Sequence, residues 1–294
     1  VSDHRYYIVT DEAGAGRALD LLSGVFEEEG VPIATMETDE ARGLWEASAY
    51  GSGEPDAELR DRMARCLAKD FPGVEIKLEI FGETDWIAKS LDGLKPVRAG
   101  RFLVHGAHDR GAVRPNDLAI ELEAGQAFGT GHHGTTAGCL EMIAKVMRAV
   151  PGGRKIGPVL DLGTGSGVLA IAAAKLGPVR VLATDIDPIA TRVARENVRA
   201  NHMAARITCV TAQGFHSTAF SREGPFGLII ANILARPLMR MAPDIRRNIA
   251  PGGSVILSGI LASQRRQVLA AYSGQHLRHV ETLWRNGWVT IHLK

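Results

Sequence analysis

The chain has 294 residues, 45% hydrophobic and 23% charged, with a formal net charge of +1 and a mean hydropathy near zero. Those proportions exclude collagen-like, mucin-like and broadly disordered chains, and the length leaves room for one large domain or two. The charge is unevenly placed: residues 1–85 hold 20 acidic against 8 basic side chains, a balance of −12, whereas residues 86–294 carry +13. Such a split points to two units with different partners, the acidic one repelling nucleic acid and attracting a basic protein. The longest apolar run, Val168–Ala174, is seven residues, against the roughly 18 that a membrane span needs. Cys66, Cys139 and Cys209 stand far apart in neither disulfide nor zinc spacing, and the first residues lack a secretory pattern. A cytoplasmic protein without a membrane partner is expected.

In chain order, Tyr6–Thr10 is a β-prone run and Gly14–Glu29 sets Ala18, Leu22, Val25 and Phe26 on one helical stripe. Pro32–Thr38 and Trp45–Tyr50 read as strands, Asp56–Lys69 as a helix ended by Pro72, and Val74–Ile80 alternates as a half-buried strand should. This βαββαβ order predicts a small α+β, ferredoxin-like domain over residues 1–85, a fold that binds more often than it catalyses, and here the substrate-recognition domain. Asp85–Lys95 predicts a connecting helix in a linker at 86–96, stopped by Pro96. Arg101–His105 and Leu118–Glu123 are strand-like. From Val159 onward, strands at Val159–Leu162, Val179–Asp185, Ile207–Ala212, Leu228–Asn232 and Ser254–Ile260 alternate with helices at Val168–Lys175, Ile189–Asn201, Pro237–Ile249 and Ser263–Tyr272. The alternation predicts an α/β domain over 97–294 with a mostly parallel, doubly wound sheet. Asn286-Gly287 between two β-prone runs adds a final antiparallel hairpin at the sheet edge.

The strongest chemical signal is Val159-Leu-Asp-Leu-Gly-Thr-Gly-Ser-Gly-Val-Leu-Ala, an apolar strand that runs through Gly163, Gly165 and Gly167 into a helix. A dinucleotide site wants G-x-G-x-x-G with a pyrophosphate at the helix start. Here the spacing is G-x-G-x-G, and Asp161 just before it suits a cation such as an amino group or a sulfonium. Asp185 ends the next strand, 22 residues after Gly163, where an acid can take both ribose hydroxyls. Asp187 before Pro188 reads as a helix cap, and Gln213 as a loop residue near an adenine pocket or merely solvated. Asn232 closes the fourth strand in Ala-Asn-Ile-Leu, without the prolines and aromatic that hold a planar acceptor, so a flexible aliphatic amine fits better. Ala127-Phe-Gly-Thr-Gly-His-His-Gly-Thr-Thr precedes a helix that Thr135 or Thr136 could cap. Its paired His132 and His133 lack a third ligand at suitable spacing, and no metal is expected.

Taken in order, Gln126–Thr136, Asp161–Gly167, Asp185-Ile-Asp-Pro, Asn232-Ile-Leu-Ala and Leu257-Ser-Gly-Ile-Leu resemble the motifs of the PrmA family, the ribosomal protein L-11 methyltransferases. The resemblance runs from about Asp85 to the C-terminus. It implies a class I S-adenosylmethionine-dependent enzyme that methylates lysine ε-amines, and the α-amine, of the basic ribosomal protein L-11; the acidic N-terminal unit and the missing aromatic after Asn232 speak against a direct nucleic-acid partner. Carried over by position, it makes Thr136, Gly163, Asp185 and Asn232 cofactor contacts beside Asp161, Gly165 and Gly167, with Asn232 also orienting the amine. Three positions depart from the family's pattern: His132 and Gly134 stand in place of Thr and Pro, and Ser90 in place of a linker tryptophan. Two other readings compete: a class I methyltransferase acting on another protein or on nucleic acid, and a cofactor-binding module without turnover.

Overall fold

The chain divides into two units, Val1–Lys89 and Ser90–Lys294. The computed structural model describes residues 3–26, 31, 33–39, 42–55, 57–81, 96–122, 133–148 and 156–294. The linker helix expected at Asp85–Lys95 lies outside them, as do Ser90 and residues 123–132.

In the first unit the order is β1 (Asp3–Thr10), α1 (Glu12–Phe26), β2 (Ile33–Asp39), β3 (Leu44–Ser52), α2 (Ala57–Leu67) and β4 (Lys77–Phe81). The strands form a sheet in the order β2-β3-β1-β4 with every neighbouring pair antiparallel. Helix α1 starts ahead of the expected Gly14 because Asp11 caps it, Oδ1 accepting the Gly14 N–H at 2.6 Å. Ala18, Leu22 and Phe26 of α1 and Leu59, Met63 and Leu67 of α2 bury one sheet face with Tyr6, Ile8, Ala47 and Ala49. The opposite face carries Arg5, whose guanidinium donates to Glu79 at 2.7 Å, pairs with Glu46 at 3.0 Å and lies 4.5 Å from the Tyr7 ring centre. The alternating run at Val74–Ile80 yields a shorter strand than expected. Leu78 and Ile80 remain 44% and 54% exposed, because β4 is an edge strand with a neighbour on one side only.

The second unit begins with a three-stranded sheet, β5 (Val97–Ala99), β6 (Phe102–His105) and β7 (Leu118–Glu121), and then α3 (His133–Arg148). There follow β8 (Val159–Leu162), α4 (Val168–Leu176), β9 (Val181–Asp185), α5 (Pro188–Ala200), β10 (Ile207–Thr211), α6 (Thr218–Glu223) and β11 (Phe226–Asn232). The remainder is α7 (Ala235–Arg240), α8 (Ala242–Asn248), β12 (Ile249–Leu261), α9 (Arg265–Ser273), β13 (His279–Arg285) and β14 (Trp288–Leu293). The sheet order is β10-β9-β8-β11-β12-β14-β13, parallel from β10 to β12, with β14 antiparallel to both its neighbours. This is the doubly wound α/β sheet with its closing hairpin; Asn286 and Gly287 take the positive φ of 45° and 77° that such a turn requires.

Strand β8 is buried along its whole length, as a parallel strand covered on both faces must be. One face packs against α3 and α4, and α4 is so enclosed that Val168–Ala174 are all buried. The other face packs against α7, α8 and α9, where the buried Tyr272 hydroxyl donates to the Leu238 carbonyl at 2.9 Å. The single helix expected at Pro237–Ile249 is two. Met241, at φ −86° and ψ 1°, separates them, and Pro243 in the first turn of α8 has no N–H with which to continue α7. Among the described residues no helix is long and apolar enough to cross a membrane.

Arg5→Ala should lower the stability of the first unit by roughly 3 kcal/mol, because it strips the buried Glu46 of its cation. Urea unfolding followed by circular dichroism measures it; a loss below about 0.5 kcal/mol would mean the pair is screened as at a surface.

Candidate active site

Strand β8 lies at the point where chain order reverses across the sheet, with β9 on one side and β11 on the other. Ligands of open α/β sheets bind beyond the carboxyl ends of strands at such a point. Here the chain turns through Gly163, Gly165 and Gly167, all left-handed at φ +72°, +52° and +83°. A side chain at 163 is excluded sterically as well, since its Cβ would stand 2.4 Å from Ile233 Cγ2. The turn is held from every side. The Gly163 and Thr164 amides donate to the Thr184 carbonyl at 2.8 Å, Gly165 N–H to Asp185 Oδ2 at 2.9 Å, and Gly167 N–H to the Thr164 carbonyl at 2.9 Å.

Asp161 is fully buried. Its Oδ2 accepts from the Thr164 hydroxyl at 2.6 Å and from the Ala170 amide at 3.0 Å, tying the turn to the first residues of α4. Among the described residues Oδ1 has no hydrogen-bond partner. Burial pushes this carboxyl up to about 6 despite those two bonds, with the Asp185 charge adding to the rise. Asp185 is half-buried at the end of β9, its Oδ1 taking the Asp187 amide at 3.1 Å. Asp187 is the helix cap expected, accepting the Ile189 amide at 2.8 Å ahead of Pro188.

Asn232 ends β11, half-buried, and among the described residues its side-chain amide has no hydrogen-bond partner. It pairs with Ser258 in register, and Ile230, two residues earlier, pairs with Asp161. Asp161 and Asn232 therefore project from the same sheet face. Above that face runs α3 with Thr136 and Cys139, both buried and three residues apart on one side of the helix. Burial pushes the Cys139 thiol up to about 12, which leaves it no role as a nucleophile. Gln213 is exposed and follows Ala212, whose N–H donates to the Asp185 carbonyl at 2.8 Å. His132 and the side chain of His133 lie outside the described residues, among which no group of three or more His, Cys, Asp or Glu could hold a metal.

Two features have roles that the motif reading did not assign. Gly259, at φ +78°, lies so close to Ile233 that a Cβ there would stand 2.5 Å from the Ile233 carbonyl oxygen. The Ser-Gly pair of Leu257–Leu261 was its only trace in the sequence. The second is Asn197, buried on α5, whose amide donates to the Ser166 carbonyl at 2.8 Å. A polar residue in a helix has no signal that separates it from the solvated ones.

Gly259→Ala combines a left-handed φ with a backbone clash, so it should destabilise the second unit by about 3 kcal/mol or more. Gly252→Ala, at φ +73° in open space, should cost only about 1 kcal/mol. Thermal unfolding of the two variants side by side gives the comparison, and equal losses would remove the steric argument.

The model of the ribosomal protein L11 methyltransferase family, PrmA, matches residues 17–294. A ribosomal protein L11 methyltransferase of Agrobacterium fabrum is 63% identical over 294 residues, covering 100% of this chain and 99% of that one. One of Rhizobium etli is 63% identical over 292 residues, covering 99% of each. Among solved structures, a ribosomal protein L11 methylase from Lactobacillus delbrueckii subsp. bulgaricus superposes with a TM-score of 0.59 at 29% identity, covering 68% of this chain and 97% of that one. A pinned glycine turn at the switch point of this sheet, and relatives aligned along the full length of the chain, lead to one assignment: the chain belongs to the PrmA family and is an S-adenosylmethionine-dependent methyltransferase.

Proposed function

We propose that the enzyme methylates lysine ε-amines, with the α-amine as a further acceptor, on ribosomal protein L11. The observation behind this reading is Asn232. Half-buried, and with a side-chain amide that has no hydrogen-bond partner among the described residues, it ends β11 on the same face as Asp161, and Ile233-Leu234 follow it where a planar acceptor would need an aromatic ring. The residues around it fit the cofactor. Among the described residues Asp161 keeps one buried oxygen without a partner, suited to the ammonium group, and Asp185 has lone pairs to spare for the ribose hydroxyls. Gly163, Gly165 and Gly167 let the backbone approach closely, and Thr136 would close the same space from α3.

Bound there, S-adenosylmethionine supplies a methyl group on a cationic sulfonium. The chain's part is positioning. The Asn232 side-chain carbonyl accepts an N–H of the neutral amine and so aims its lone pair along the line of displacement. A lysine with an ordinary pKa of about 10.4 must first lose a proton; desolvation beside a cation lowers that value, and water takes the proton. No side chain is required as a base. Residues 1–85, with their balance of −12, serve in this reading as the domain that receives a basic protein. Three free cysteines fit a cytoplasmic enzyme.

With methyl-labelled S-adenosylmethionine and isolated L11, the intact chain should label L11, and Asn232→Ala should lower single-turnover rates at least tenfold while changing cofactor affinity much less. A variant within twofold of the parent rate would remove Asn232 from the chemistry. A parent that labels another ribosomal protein but not L11 would move the substrate.

A pH effect follows from Asp161. Its folded-state pKa of about 6 lies above the usual carboxylate value, so the cofactor-free fold loses stability as this group ionises between about pH 4 and 6. A cation beside Oδ1 favours the ionised form, and binding must then expel a proton at low pH. Cofactor affinity should therefore fall as pH drops below about 6, by up to tenfold per unit, and Asp161→Asn should flatten the dependence. Calorimetry between pH 5 and 8 tests this, and a flat parent profile counts against an ionised Asp161 in the complex.

A further inference from the structure

We infer that Asn197 on α5 is a positioning residue that fixes the glycine turn before the cofactor arrives, while Asn201, the residue that caps the helix one turn later, fixes the end of β7. The inference rests on the cofactor reading above and extends it to a part of the chain no motif touches. Both side chains are buried, at 0% and 6% exposure, on a helix whose outer face is rich in arginine. Buried amides persist where their hydrogen bonds are specific, since an unmet one is costly. Asn197 Nδ2 donates to the Ser166 carbonyl at 2.8 Å. The N–H of that same peptide unit, on Gly167, donates to the Thr164 carbonyl at 2.9 Å. The Ser166–Gly167 peptide plane is thus clamped at both ends.

The clamp matters because both residues flanking Ser166 are glycines with positive φ, the condition under which a peptide plane rotates most easily. Among the described residues the other hydrogen bonds of the turn run to β8, β9, α4 or the turn itself; α5 packs Ala194 against Gly167 and adds the one side-chain hydrogen bond, from Asn197. One turn later Asn201 works on a different target. Its Oδ1 accepts the Glu121 N–H at 3.1 Å, and its Nδ2 donates to the Glu121 carbonyl at 2.6 Å and to the Asn197 carbonyl at 2.9 Å. The side chain pairs with the end of β7 as a neighbouring strand would. A single helix therefore presents Asp187 and the end of β9 at its start, the glycine turn at its middle and the end of β7 at its close. Aspartate in place of either asparagine would keep the shape and lose the donor.

The test uses the full chain with S-adenosylhomocysteine as probe. In Asn197→Ala, hydrogen exchange of Gly163–Ala170 in the cofactor-free protein should rise about fivefold or more while β11 and β12 keep their protection. The dissociation constant for the probe should rise about three- to tenfold, the equivalent of one buried hydrogen bond. The turnover number at saturating cofactor should stay within about twofold, a split that general destabilisation does not produce. Asn201→Ala should instead raise exchange at Ala119–Leu122 and shift the probe constant less. If Asn197→Ala does not fold, Asn197→Ser is read in the same way. Unchanged exchange in the turn, or a probe constant within about 1.5-fold of the parent in a folded variant, overturns the proposal. A parent that does not bind the probe overturns the cofactor reading instead, and the exchange measurement still decides whether Asn197 holds the turn.

Discussion

A buried carboxylate shared between two donors organises the second unit. Asp161 Oδ2 joins the Thr164 hydroxyl to the Ala170 amide, so the chain must fold back within nine residues and α4 must start where it does. Charge-assisted bonds of this kind are worth about 1.5–3 kcal/mol each, yet the carboxyl still titrates near 6. Desolvation therefore exceeds what the two bonds return. The group is left electrostatically unsatisfied in the cofactor-free fold, which makes the site receptive to a cation as well as structurally defined.

Ile233 adds a steric constraint to this electrostatic one. Its side chain fills the space over Gly163, and its backbone lies against Gly259, so the ends of β8, β11 and β12 fit together only if two of three contact positions lack a Cβ. Asn232 is the residue immediately before this wedge. Its place relative to the glycine turn is thereby set by the Ile233 side chain close-packed on Gly163 and by the backbone contact with Gly259.

The legible part of the sequence was the part whose signal is local. Three glycines at alternate positions after an apolar strand, Asp187 before Pro188 and Asn286-Gly287 between two β-prone runs each specify a backbone conformation that few other residues allow, and each takes that conformation. What the sequence hid depends on tertiary neighbours. Leu78 and Ile80 alternate like buried residues, but position at the sheet edge decides their exposure. The helix at 237–249 has the right period and breaks at Met241 because Pro243 needs a fresh start. Asn197 and Asn201 look like solvated helix positions, and only the approach of Ser166 and Glu121 shows otherwise. Strand β5, three residues long, is too short to leave a pattern.

The hairpin that closes the sheet has a consequence for biosynthesis. Strand β13 leaves the ribosome before β14, yet it can join the sheet only through β14, which lies between it and β12. Thr290, on the late strand, hydrogen-bonds Ser258 at 2.9 Å, and a Cβ on Gly138 of α3 would stand 2.4 Å from its hydroxyl. The surface on which α3 rests is therefore incomplete until the last strand of the sheet is made. Until then the nascent second unit exposes the edge of β12, an unpaired strand of the kind that chaperones shield.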